Sequence, residues 1–223
     1  MPKRGRFIVI EGPDGTGKST QVRLLTERLA KLRIKLISPR EPGATAAGEA
    51  IRDVLLNRKN FSLTPVTEAL LFQAARSQLV SEIIEPALTK GTWVLCDRFA
   101  LSTLIYQGYV GGVSPEKILQ LTDLATRGVK PDLQIILDAP WELCLQRRSG
   151  RVNAAISKKK GGKDRMEAKG DAFLKKVFNA YHKLARHAPK GVAYKTVKVD
   201  ASGEVEQVSE LIFKTITRAF PIR

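Results

Sequence analysis

A chain of 223 residues, 43% of them apolar and 27% charged, is long enough for one domain that buries roughly 70% of the surface its unfolded form exposes. Lys and Arg outnumber Asp and Glu by 38 to 22, a formal charge of +16 that suits either a nucleic-acid surface or a protein handling small polyanions. No apolar stretch nears the ~20 residues of a membrane span, and Cys96 and Cys144 lie far apart in apolar segments; the expectation is a cytoplasmic protein with reduced thiols rather than a membrane protein or a disulfide scaffold.

The first predicted element is a strand at 7–10. Directly after it, Gly12, Pro13, Asp14, Gly15, Thr16, Gly17, Lys18 and Ser19 fill the pattern G-x-x-x-x-G-K-[ST], with Thr20 following. Val22, Leu25, Leu29 and Leu32 then repeat at helical spacing, as a phosphate-binding loop requires. Glycines let backbone N–H groups close round a polyphosphate, Lys18 reaches the β- and γ-phosphates, and the Ser19 hydroxyl can ligate Mg²⁺. ATP or a similar triphosphate is the expected ligand.

The next strand, at 35–38, delivers Arg40, and a helix is predicted at 46–57. Thr64 and Pro65 are a cap and a first helical residue for a long helix at 65–90. On it Phe72 and Arg76 share a face that could stack on a planar base and hydrogen-bond its edge, although Leu79 and Ile83 on the same stripe also allow a plain core role. A strand at 93–96 ends in Asp97 and Arg98. Asp97 is read either as a Mg²⁺ partner at the carboxyl edge of the sheet or as a helix cap. Arg98 and Arg40, carried to the same edge as Lys18, could grip a phosphate in bidentate fashion. Helices at 114–127 and 140–149, a strand at 133–137, a helix at 171–186, a strand at 192–199 and a helix at 204–219 complete the chain. The alternation predicts an α/β fold in which a five-stranded parallel sheet is flanked by helices. His182 and His187 read as exposed helix residues.

Residues 147–163 break the pattern: basic, glycine-containing and without a sustained apolar face, they read as a mobile loop, either a solvated insertion or a lid. Lys158, Lys159, Lys160 and Lys163 have no interleaved aromatic residue on which bases could stack, which argues against nucleic acid as a partner.

Taken together, the motifs resemble the bacterial thymidylate kinases over nearly the whole chain. The segments that carry the resemblance are FIVIEGPDGTGKST from Phe7, REPG from Arg40 with GEAIR from Gly48, LFQAARSQLV from Leu71, DRF from Asp97 with Ser102 and YQG from Tyr106, PDLQIILD from Pro131, and DRME from Asp164. The resemblance implies a single nucleoside-monophosphate-kinase domain over 1–223, with a mobile basic lid at about 147–168. It implies transfer of a phosphoryl group from ATP to dTMP with Mg²⁺, and a homodimer. It places Arg40 and Arg98 on the acceptor phosphate, Asp14 on the sugar hydroxyl, Phe72 on the thymine face, Arg76 on its O4, and Ser102, Tyr106 and Gln107 in the same pocket. Lys18, Asp97 and Arg98 form the expected catalytic set. Some family members carry an arginine in the loop at position 15; Gly15 leaves that role to Arg147, Arg148 or Arg151 of the lid.

Three positions depart from the family pattern. Ala44 stands where a second glycine usually follows REPG, Ile105 replaces an alanine before YQG, and the stretch 152–163 is longer and more basic than usual. Two other functions stay on the table: a kinase of another small nucleotide, and a nucleic-acid-binding P-loop ATPase. The latter is disfavoured because the third strand ends Asp97-Arg98 rather than in an Asp-Glu pair.

Overall fold

The computed structural model describes residues 4–57, 62–157, 164–186 and 194–222, with the side chains of 151–157 and 186 outside the description. Five strands, β1 (Phe7–Glu11), β2 (Leu36–Ile37), β3 (Trp93–Asp97), β4 (Leu133–Asp138) and β5 (Thr196–Asp200), form one sheet in the order β2-β3-β1-β4-β5. Every pairing is parallel; Ile10 lies opposite Asp97 on one side of β1 and Ile135 on the other. All five residues of β1 are buried, as a central strand covered on both faces demands.

The pleat divides the core. Ile8 and Ile10 pack with Leu25 and Leu29 of α1 (Lys18–Lys31) and Ile212 and Ile216 of the last helix, while Phe7 and Val9 face Leu79, Val80, Ile84 and Leu88 on the opposite side. Between α1 and β3 come α2 (Ala46–Leu56), α3 (Pro65–Leu79) and α4 (Glu85–Thr89); α5 (Ala100–Thr103), α6 (Pro115–Thr126), α7 (Trp141–Ser157), α8 (Asp171–Arg186) and α9 (Val205–Ala219) follow. Thr64 caps α3 by accepting from Thr67 N, and Pro65 is its first residue, as the sequence predicts.

Four sequence readings change. The helix predicted over 65–90 is three segments, α3 and α4 joined by a π turn at Val80–Ile84. The wider turn lies immediately before Pro86, which has no N–H to donate. A second π turn, Leu104–Tyr109, extends α5 where no element was predicted. Nearly every residue there is buried, so the segment has no polar face and no readable period. Residues 147–157, read as loop, continue α7. Leu, Gln, Arg and Ala favour helix, and Gly150 alone costs only about 1 kcal/mol. Finally, β5 starts at Thr196 rather than 192. Residues 158–163 of the expected lid, His187, and the predicted strand positions 192 and 193 lie outside the described residues.

Candidate active site

The carboxyl ends of the central strands open on a cleft of about 630 Å³. At its floor the loop from Gly12 turns into α1 through Gly12, Gly15 and Gly17, all with positive φ. Gly17 caps α1 without a side-chain partner, so the first backbone N–H groups of the helix are left for an anion. Thr16 Oγ1 donates to Pro13 O at 2.8 Å, and Lys18 Nζ donates to the same carbonyl at 3.0 Å while standing 3.6 Å from Asp14 Oδ1. Burial, then the charge of Arg98, lowers the Lys18 pKa to about 8. A Cβ added to Gly15 would sit 2.2 Å from the carbonyl oxygen of Cys144 in α7. Both cysteines are buried and free.

Ser19 and Thr20 are exposed in the cleft, and Ser19 Oγ donates to Asp97 Oδ2 at 2.7 Å. The two expected metal partners are thus brought together. Arg98 takes φ +70, a strained conformation for a side-chain-bearing residue, and the strand-to-helix turn it makes throws its guanidinium back over the loop. There Nη2 donates to Asp14 Oδ1 at 2.5 Å, and Nη1 to Gly12 O at 3.2 Å and to Ser102 Oγ and Tyr181 Oη at 3.1 Å. Tyr106 Oη donates to the other Asp14 oxygen at 3.3 Å, its pKa raised by burial and by the Asp14 charge. Asp14 therefore meets Lys18, Arg98 and Tyr106 together. Arg40, bridged to the end of β3, reaches the cleft from its rim and pairs with Glu49 at 3.1 Å. The Ala44 N–H bond, then the charge of Arg40, keeps the Glu49 carboxyl low.

Farther along the cleft Phe72 is half-buried and, among the described residues, belongs to none of the core clusters, unlike Leu79 on the same stripe. Arg76 is not a free pocket arginine: 1% exposed, it forks onto Glu41 at 2.9 and 2.6 Å and donates to Gln73, Phe99 O and Thr103. Gln107 lines the cleft and donates to Glu68 at 2.8 Å. Ile105 is wholly buried in the cluster of Leu101, Leu104 and Ile118 and does not line the cleft; it fills the core. Ala44 has φ +69, so the position usually held by glycine keeps the glycine conformation with a Cβ attached.

The three arginines expected to act from a lid separate. Arg147 donates to Ala201 O at 2.8 Å and Gly203 O at 3.2 Å, tying α7 to the loop before α9. Arg148 lines the cleft and pairs with Asp171 at 2.5 Å. The Arg151 side chain lies outside the described set.

Sequence reasoning passed over three site residues. Glu11, wholly buried, accepts from Phe99 N, Ser102 N, Ser102 Oγ and Tyr181 Oη and so fixes the turn that carries Arg98. A carboxylate ending an otherwise apolar strand was the available signal. Glu41 has the same character as the partner of Arg76, whereas Tyr181 merges into the apolar stripe of α8. His182, expected to be exposed, is half-buried and its Nδ1 lies 3.1 Å from both oxygens of Asp138.

The family model described as "Thymidylate kinase" matches residues 10–212. A thymidylate kinase of Pelobacter propionicus is 41% identical over 208 residues, covering 93% of this chain and 92% of the relative. Those of Caldanaerobacter subterraneus (41% over 213 residues; 96% and 95%) and Nitrobacter winogradskyi (41% over 214 residues; 96% and 89%) are similar to the same degree.

Proposed function

Because the chain belongs to the thymidylate kinase family, we infer that it transfers the γ-phosphoryl group of ATP to dTMP, yielding dTDP and ADP. The observation that carries this reading is the position of Asp14: one loop carboxylate touches both Lys18, on the donor side, and Arg98, on the acceptor side. Phosphoryl transfer needs positioned groups and positive charge more than it needs covalent chemistry. An acceptor phosphate oxygen attacks the γ-phosphorus while its bond to the ADP oxygen breaks. Lys18 and the α1 N-terminus hold the donor phosphates, and Arg98, locked by Asp14, Ser102 and Tyr181, presents a fork to the acceptor phosphate. Arg40, exposed on the rim, leaves Glu49 to join it. Phe72 stacks on the base, and the Nη1 hydrogen of Arg76 that does not go to Gln73 reaches O4. Asp14 accepts from the sugar hydroxyl.

Ser19 and Asp97 offer an adjacent hydroxyl and carboxylate, an oxygen pair that suits Mg²⁺, which retains water and takes few protein ligands. The ion, when bound with ATP, neutralises phosphate charge. One of Arg147, Arg148 and Arg151 meets the migrating group; the first would leave its backbone carbonyls to do so and the second Asp171. A cytoplasmic homodimer fits the family and the exposed apolar face of α3 and α6.

Incubation with ATP, Mg²⁺ and a panel of nucleoside monophosphates tests the reading. dTMP is expected to turn over fastest; equal or faster turnover of CMP or AMP would overturn it.

A further inference from the structure

Glu68, in the first turn of α3, is completely buried and sits at a junction of three elements. Its Oε1 accepts from Arg165 Nη1 at 2.7 Å and Lys169 Nζ at 2.6 Å, and its Oε2 accepts from Gln107 Nε2 at 2.8 Å. Burial by itself would raise its pKa, but the bonds from Lys169, Gln107 and Arg165 outweigh burial and hold it below the usual value. Glu68 is therefore ionised, and an ionised carboxylate can only accept.

That fact settles the orientation of Gln107. An amide facing an acceptor-only partner must show it the NH₂ group, which sends the carbonyl Oε1 the other way. This oxygen is buried and has no hydrogen-bond partner among the described residues. Gln107 lines the cleft beside Phe72 and Thr103, whereas Glu68 stands behind it and does not. At this end of the cleft Gln107 thus presents an acceptor with its demand unmet, as Gln21 does beside the phosphate loop, a condition that a ligand donor relieves.

We propose that Glu68 is a positioning residue that sets the nucleobase preference of the acceptor site, by locking the Gln107 amide so that its carbonyl selects a pyrimidine carrying hydrogen on N3. Thymine has that N3–H. Cytosine presents a bare N3, which would meet Oε1 lone pair against lone pair and leave both unsatisfied. The inference rests on reading this end of the cleft as the dTMP base site. The same carboxylate steadies the segment after the lid, where Arg165 also donates to Leu55 O at 2.6 Å.

Calorimetric binding of dTMP and dCMP to wild type and Glu68→Gln provides the test, with dTMP turnover of the wild type measured alongside. A glutamine at 68 can donate, so the Gln107 amide is free to turn over. The ratio of the dCMP to the dTMP dissociation constant is expected to fall at least fivefold, mainly through weaker dTMP binding. A purely structural role weakens both nucleotides alike, so a smaller change in the ratio overturns the proposal. If Glu68→Gln does not fold, Glu68→Asp decides by the same threshold, because it keeps the charge for Arg165 and Lys169 but draws the carboxylate back from Gln107. A wild type without preference for dTMP over dCMP also overturns it. A wild type that prefers dTMP yet does not phosphorylate it removes the kinase reading and leaves this one standing.

Discussion

Lys18 is where the sequence motif acquires a number. Its pKa of about 8 in the free protein lies below the ordinary 10.5 because the ammonium is buried and faces Arg98. Between those values the unfolded chain binds a proton that the folded one does not. The resulting stability penalty is full below pH 8 and is relieved as pH rises through 10.5. A bound polyphosphate reverses the effect by pulling the pKa back up. ATP affinity should therefore be flat below pH 8 and fall by up to tenfold per unit above it, with proton uptake on binding. Calorimetry at pH 8.5 in buffers of different ionisation enthalpy measures that uptake directly; an affinity unchanged from pH 7.5 to 9.5 would contradict it. Lys18 and Ser19 were legible from spacing alone. The buried glutamates Glu11, Glu41 and Glu68 were not, because their partners, 88, 35 and 97 positions away in Phe99, Arg76 and Arg165, come together only on folding.

At the scale of elements, the phosphate loop and α7 are one packed unit. The Cys144 carbonyl lies over Gly15 so closely that any side chain there must displace either the loop or the first turn of α7. The glycine that leaves the loop without an arginine is thus the residue that lets the arginine-bearing helix dock. Gly15→Ala should cost about 1–3 kcal/mol of stability from the positive φ and the overlap, and should lower kcat/KM for ATP by more than tenfold. Thermal unfolding and steady-state kinetics check the pair of effects; kinetics like wild type would show that the two elements can part freely. The helical continuation of α7 through Ser157 is hidden by the charge and glycine of its composition and shows only in its helix propensity. The segment from Ala100 to Tyr109 was missed for the opposite reason: burial on all sides erases the period by which helices are recognised.

Across the whole molecule, the positive charge is spread well beyond the cleft, where the seven basic residues Lys18, Arg40, Arg52, Arg76, Arg98, Arg147 and Arg148 stand among five acidic ones, Asp14, Glu41, Asp97, Asp164 and Glu167. The small local excess favours anionic nucleotides. Away from the cleft, Val66 and Leu70, four apart on α3, and Leu124 on the adjoining α6 are 56%, 51% and 77% exposed. A second copy covering this face would bury them. Sedimentation equilibrium should find a dimer for the wild type and a monomer for the Leu70→Glu, Leu124→Glu double variant; a monomeric wild type would remove the homodimer.

The sequence by itself determined the sheet, the phosphate loop and the carboxyl-edge placement of Asp97 and Arg98, because these follow from local apolar runs and from glycine's backbone freedom. Tertiary structure alone decided which polar groups are spent on one another. Arg76 on Glu41, Arg147 on backbone carbonyls and Gln107 on Glu68 are pairings between distant segments, and neither spacing nor composition encodes the desolvation that makes each partner obligatory.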